Sequence, residues 1–202
     1  MYDNISRNIT DRLPEKNIID KDDWEIYYYG IYQLVMNTFE IITLLIIGYI
    51  MDEIFKCIVF VMAFSIMRIY AGGYHASTPL RCYCMTTFTT ITSLLVMKYV
   101  TINYFICYMV MLVSSIIILR VSPVETQNKP LDMLEKKIYR KKTLIALSIE
   151  TIATILFSIL RVSSVVICIT TAEVVLCVAL IYEIVRRKCT KTKNKICFKE
   201  MR

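Results

Sequence analysis

Glycine and proline are scarce: four of each in 202 residues. That leaves too few turn residues for the many short strands of a sandwich or barrel. There is one histidine and one tryptophan. No GxGxxG, P-loop, EF-hand or HExxH pattern occurs, and no internal repeat. The eight cysteines are scattered without paired spacing, so no disulfide framework follows and most read as small packed hydrophobes. Residues 1–25 carry eleven charged side chains and lack an apolar h-region, so the first apolar span is expected to act as its own insertion signal.

What the chain does have is apolar sequence: 56% of it is drawn from AVILMFWYC, and the mean hydropathy is +0.54. An ordinary water-soluble domain and a disordered chain are both excluded. The apolar residues fall in blocks long enough to cross a bilayer, at about 31–50, 54–70, 80–98, 102–120, 143–160 and 163–185. The fold class is therefore all-α, a polytopic integral membrane protein of about six transmembrane helices. Short joins near Asp52, Lys98 and Arg161 predict antiparallel hairpins.

Six spans put both termini on one side. Of the 24 Lys and Arg residues, all but Lys56, Lys98 and Arg161 fall on that side, which the positive-inside rule makes cytoplasmic. The chain then divides into a cytoplasmic or interfacial segment (1–30), a six-helix membrane domain (31–185) with cytoplasmic loops 68–81 and 121–142, and a basic cytoplasmic tail (186–202). Ile5, Ile9 and Leu13 at spacing four suggest a short amphipathic helix on the membrane surface, with a disordered tail as the alternative. The basic tail reads as a topology anchor against anionic lipid, not as a nucleic-acid site.

Chemistry concentrates in the loop Arg68-Ile-Tyr-Ala-Gly72-Gly73-Tyr74-His75-Ala-Ser77-Thr78-Pro79-Leu-Arg81-Cys82-Tyr-Cys84, which holds the only histidine and the only Gly-Gly pair. Thr78-Pro79 is a helix start, with a hydroxyl at the N-cap and proline at the first helical position. Cys82 thus falls in the first turn, where the helix dipole, with Arg81 and Arg68 nearby, favours a reactive thiolate. Gly72 and Gly73 let the loop fold back and bring His75 toward Cys82, giving a Cys/His dyad with backbone amides at the helix start for the oxyanion. Cys84 is the rival nucleophile, but two residues along a helix turn it about 200° away. Two other readings stay open: a re-entrant turn in which His75 caps a helix or faces headgroups, and a zinc site from His75, Cys82 and Cys84, for which no fourth ligand is evident. Glu40, Glu150 and Glu173 lie inside spans, where a carboxylate needs a partner or a wet cavity. Glu40 would orient His75, bind a polar part of a substrate, or bond to hydroxyls of a neighbouring helix.

Arg68, the Gly72-Gly73-Tyr74-His75-Ala76 run and a cysteine seven positions after the histidine resemble the accessory gene regulator B (AgrB) family of membrane peptide-processing proteases. The six-span layout and Pro123-Val-Glu-Thr-Gln-Asn128-Lys129-Pro130 before a basic stretch are similar too, so the resemblance covers most of the chain. It implies a cysteine endopeptidase of the bacterial cell membrane, with its active site at the cytoplasmic face. Such an enzyme removes the C-terminal tail of a short propeptide and promotes its closure to a thiolactone or lactone quorum-sensing peptide. By the family pattern Cys82 is the nucleophile and His75 its base, and Arg68 and Gly73 fall on positions important for activity. The implied partners are an AgrD-like propeptide, the lipid bilayer and a second copy of the chain in a homodimer. No cofactor, metal or nucleic acid is called for. The competing class is a non-enzymatic peptide exporter or pore, with Glu40, Glu150 and Glu173 lining a polar path and the Gly-Gly loop as a gate.

Overall fold

A computed structural model describes residues 2–15, 19–72, 78–100, 103–124 and 132–200, with side chains for all of these except residues 15, 21 and 188–200. The helices are α1 (Tyr2–Glu15), α2 (Trp24–Ile50), α3 (Ile54–Ala71), α4 (Pro79–Tyr99), α5 (Tyr104–Val121), α6 (Met133–Ile159) and α7 (Ser163–Glu200). Six of them, α2 to α7, contain stretches long and apolar enough to cross a membrane, that of α7 ending at Arg187. The protein is an all-α polytopic membrane protein, as the hydropathy blocks predict. Among the described residues the sole strand-like feature is an isolated bridge between Gly72 and Val124.

Two spans begin earlier than their hydropathy does. α2 starts at Trp24, adding an aromatic-rich turn-and-a-half or more to the expected 31–50, and α6 starts at Met133 in place of 143. The stretch Leu-Glu-Lys-Lys-Ile-Tyr-Arg-Lys-Lys is too charged for lipid yet made largely of good helix formers. Its start is fixed by a capping box, in which Asp132 accepts the Met133 N–H at 2.7 Å and the Glu135 carboxylate accepts the Asp132 N–H at 3.2 Å. Helical backbone likewise runs on past Arg187 to Glu200.

The turns are tight. α2 and α3 join through Asp52, and α6 and α7 through Arg161, both with positive φ (59° and 58°). Near the first turn Gly48 lets α2 and α3 close up: a β-carbon there would sit 2.8 Å from that of Cys57. Lys56 and Lys98 tie this far end together, Lys56 reaching Glu53 (3.0 Å) and the Met97 carbonyl (3.3 Å), Lys98 the Met51 carbonyl (2.7 Å).

α7 is the central post. More than half of its span is buried (56%), against 17–28% for the other five, in keeping with an all-round apolar sequence of mean hydropathy 2.5. One core cluster joins Leu44, Phe60, Leu94, Met111, Cys168 and Ala172; a second joins Met67, Ile118, Leu147, Leu176 and Leu180.

α1 packs along the first half of α2. The expected helix is present, but the side it buries carries Ser6 and Thr10, while Ile9 stays exposed. Both hydroxyls bond within α1, to Tyr2 O (2.9 Å) and Ser6 O (2.8 Å), so small polar residues pack without an unmet donor. Trp24 Nε1 donates to Asp11 (3.0 Å), the Tyr28 hydroxyl donates to Asp3, and Arg7 pairs with Asp3 (3.1 Å). Tyr28 and Arg7 together hold the Asp3 carboxyl below the usual aspartate range.

Candidate functional site

The site is assembled where α3 ends and α4 begins. α3 carries Arg68 in its last turn and stops at Ala71, and Gly72, at φ +81°, donates its N–H to Arg68 O (3.1 Å). The left-handed φ suits glycine, and the surroundings require it: a β-carbon would lie 2.7 Å from the Val124 carbonyl oxygen. Val124 N–H in turn donates to Ala71 O (3.1 Å). The segment after α5 is thus stitched to the start of the Gly-Gly loop.

At the head of α4, Thr78 is extended (φ −134°, ψ 145°) and Pro79 is the first helical residue, as the sequence predicts. The Thr78 hydroxyl makes no capping bond, contrary to expectation. Its carbonyl does the local work, accepting the Cys82 N–H at 3.2 Å. The Cys82 amide is therefore engaged in the helix. The sulfur itself is half-buried, and Arg68 Nη2 lies 3.9 Å from it. Arg68 also lies over the Phe64 ring, 5.7 Å from its centroid, so the guanidinium is held between an aromatic face and the thiol.

Cys82 lies on the wall of a cavity of about 350 Å³. α3 contributes Phe60, Phe64 and Arg68, three positions four apart on one helical face. α4 contributes Cys82, Met85, Thr86, Thr89 and Thr90; α7 contributes a wall from Val174 to Tyr182 that includes Val178 and Ala179. Phe60 and Phe64 stack (centroids 5.9 Å apart). Cys84 is exposed and takes no part in the lining, while Tyr83 points to α2, its hydroxyl donating to Thr43 at 2.8 Å. The α3 and α7 walls are what sequence reasoning missed. The Phe60, Phe64, Arg68 spacing was available as a signal, but nothing in the sequence says that α7 faces it.

Among the described residues the remaining candidates stand apart from the cavity. His75 and Gly73, and with them the geometry of the Cys/His dyad, lie outside the described residues. Arg81 is exposed at the head of α4. Glu40 is half-buried on α2 and is not a cavity residue; its Oε1 is buried without a hydrogen-bond partner among the described residues. Glu150 and Glu173 are buried on α6 and α7, where Ser115 of α5 donates to Glu173 at 3.1 Å, and neither lines the cavity. Glu183, not singled out from the sequence, is buried and paired with Arg187 (3.0 Å) and Arg186 (3.5 Å). Among the described residues no three His, Cys, Asp or Glu side chains group as a metal site.

The fold and this geometry define a class: a polytopic membrane protein presenting a thiol, with a guanidinium beside it, to an apolar cavity between spans. Within that class the sequence is specific. The family model described as Accessory gene regulator B matches residues 6–182, and the chain belongs to that family. Two relatives from Clostridium perfringens are similar to it. One, provisionally named AgrB-like protein 2 (strain 13 / Type A), is 28% identical over 169 residues, covering 78% of this chain and 79% of the relative. The other, provisionally named AgrB-like protein (strain SM101 / Type A), is 28% identical over 149 residues, covering 70% of each. No solved structure matches the chain.

Proposed function

We propose that the protein is a membrane-embedded cysteine endopeptidase that removes the C-terminal tail of a short, AgrD-like autoinducer propeptide at the cytoplasmic face and promotes its cyclisation. The observation that carries this reading is the Cys82 sulfur on a cavity wall with the Arg68 guanidinium 3.9 Å away. Membership of the accessory gene regulator B family supports it, and the related proteins' names point the same way.

In the proposed sequence His75 takes the Cys82 proton and the sulfur attacks the scissile carbonyl, forming a C–S bond. Arg68 gives the anionic sulfur a cationic neighbour, held by the Phe64 face. The tetrahedral intermediate collapses with cleavage of the C–N bond, and the imidazolium returns its proton to the leaving amine. The acyl group is then a thioester on Cys82. A thiol within the acyl segment, deprotonated by His75, attacks that carbonyl; Cys82 leaves as thiolate and a thiolactone ring results. A hydroxyl nucleophile would give a lactone. Water must be kept away meanwhile, which the apolar cavity favours, and an oriented internal nucleophile can reach an effective molarity of ~10⁵ M. By the positive-inside rule both termini are cytoplasmic, and the protein acts as a homodimer.

Mass spectrometry of a propeptide encoded beside the gene and co-expressed with the protein tests this. Cleaved, cyclised peptide is expected with wild type and with Cys84→Ala, and uncut propeptide with Cys82→Ala and His75→Ala at equal membrane levels. Full cleavage by Cys82→Ala would end the assignment.

A further inference from the structure

Keeping water from the thioester needs apolar surroundings at the sulfur alone. Yet the cavity reaches well beyond Cys82. Each wall is a stripe that spans eight helical rises, from Arg68 back to Phe60, from Cys82 on to Thr90 and from Tyr182 back to Val174. At 1.5 Å per residue these stripes are roughly 12 Å deep. Cys82 lies at the end nearest the Gly-Gly loop, and Phe60, which is fully buried, closes toward the core at the other. A depth of ~12 Å accepts about three residues of extended peptide.

We propose that this cavity is the acyl-side subsite of the enzyme, holding the apolar side chains just N-terminal to the scissile bond, and that Ala179 sets the bulk it admits. The inference rests on the endopeptidase reading above. Three features support it. The acyl half stays bonded to sulfur after cleavage and must be shielded from water, whereas the tail departs; the apolar space beside Cys82 therefore belongs to the acyl half. The walls are apolar aromatics and valines, which match apolar side chains. And α4 lines its wall with Thr86, whose hydroxyl donates to the Cys82 carbonyl (3.1 Å) and so can only accept from a peptide N–H, and with Thr89 and Thr90, hydroxyl-bearing side chains that a peptide backbone uses at membrane depth and a lipid acyl chain does not.

The test uses the full-length protein in membranes with the propeptide encoded beside the gene, each of the three residues before its cleavage site changed in turn to Ala, Phe and Asp. Wild type is expected to cleave the Phe and Ala forms and to lose at least tenfold in rate on the Asp forms. Ala179→Phe, which narrows the cavity, should cut the Phe form at least tenfold more slowly than the Ala form, with Ala179→Leu between. Iodoacetamide labelling of Cys82 at the wild-type rate in both variants would show that the site is intact. If Ala179→Phe labels normally and keeps the wild-type preference, the subsite is overturned while the endopeptidase stands. The subsite is likewise overturned if a benzophenone side chain at position 175 crosslinks lipid and never propeptide. Cleavage by Cys82→Ala would overturn the endopeptidase itself.

Discussion

At the scale of single residues, the contact most open to test is Arg68 on Cys82. Removing the guanidinium takes away both the cation beside the sulfur and the partner of the Phe64 face. Arg68→Ala is expected to slow alkylation of Cys82 and propeptide cleavage by tenfold or more, with Arg68→Lys recovering part of the loss because it restores charge without the planar stacking group. Unchanged alkylation in Arg68→Ala would mean that the contact is packing alone. Gly72 makes a different prediction. Gly72→Ala forces a β-carbon onto the Val124 carbonyl at positive φ, so a cost of about 1–3 kcal/mol is expected. It should appear as a lower thermal midpoint in detergent, and an unchanged midpoint would contradict the stitched arrangement. That Cys82 and Cys84 face apart was legible, since helical geometry alone separates them. The reason for Gly72 was not, because the atom it avoids belongs to a residue far along the chain.

At the scale of elements, the sequence predicts spans well and helices less well. Hydropathy reports where lipid ends; backbone hydrogen bonding continues as long as the residues favour it. That is why α6 runs back through its Lys/Arg-rich turns to the Asp132 cap and why α2 reaches Trp24. α1 shows the converse limit: spacing announced a helix, but the side against α2 was decided by Ser6 and Thr10, whose hydroxyls are satisfied within the helix. Its docking is expected to depend on pH. Because Tyr28 and Arg7 hold Asp3 below the ordinary aspartate value, the contact is fully formed above that value and is lost as pH falls through the lowered one. Trp24, the chain's single tryptophan and a partner of Asp11, reports on the same hairpin. Its fluorescence should be constant at neutral pH and change below about pH 4, and Asp3→Asn should show the low-pH signal at neutral pH. A tryptophan signal flat from neutral to strongly acidic pH would contradict this docking.

At the scale of the whole molecule, the cavity depends on bringing together segments the sequence keeps apart. The head of α4, the tail of α3 and the middle of α7 form one chamber, and the last span, the most apolar of all, is the post on which it is built. An apolar stripe that faces lipid and one that faces a cavity look the same in sequence, so the walls were not legible, whereas the helix start that carries Cys82 was. The central claim is that an acyl group passes through the Cys82 sulfur inside this chamber. Intact-protein and peptide-level mass spectrometry, after acid quench of wild-type protein mixed with propeptide, measures it directly. The expected result is a hydroxylamine-labile adduct equal in mass to the N-terminal cleavage fragment less one water, mapped to Cys82 and present also in Cys84→Ala. An adduct mapped to Cys84, or cleavage and cyclisation undiminished in Cys82→Ala, would contradict it.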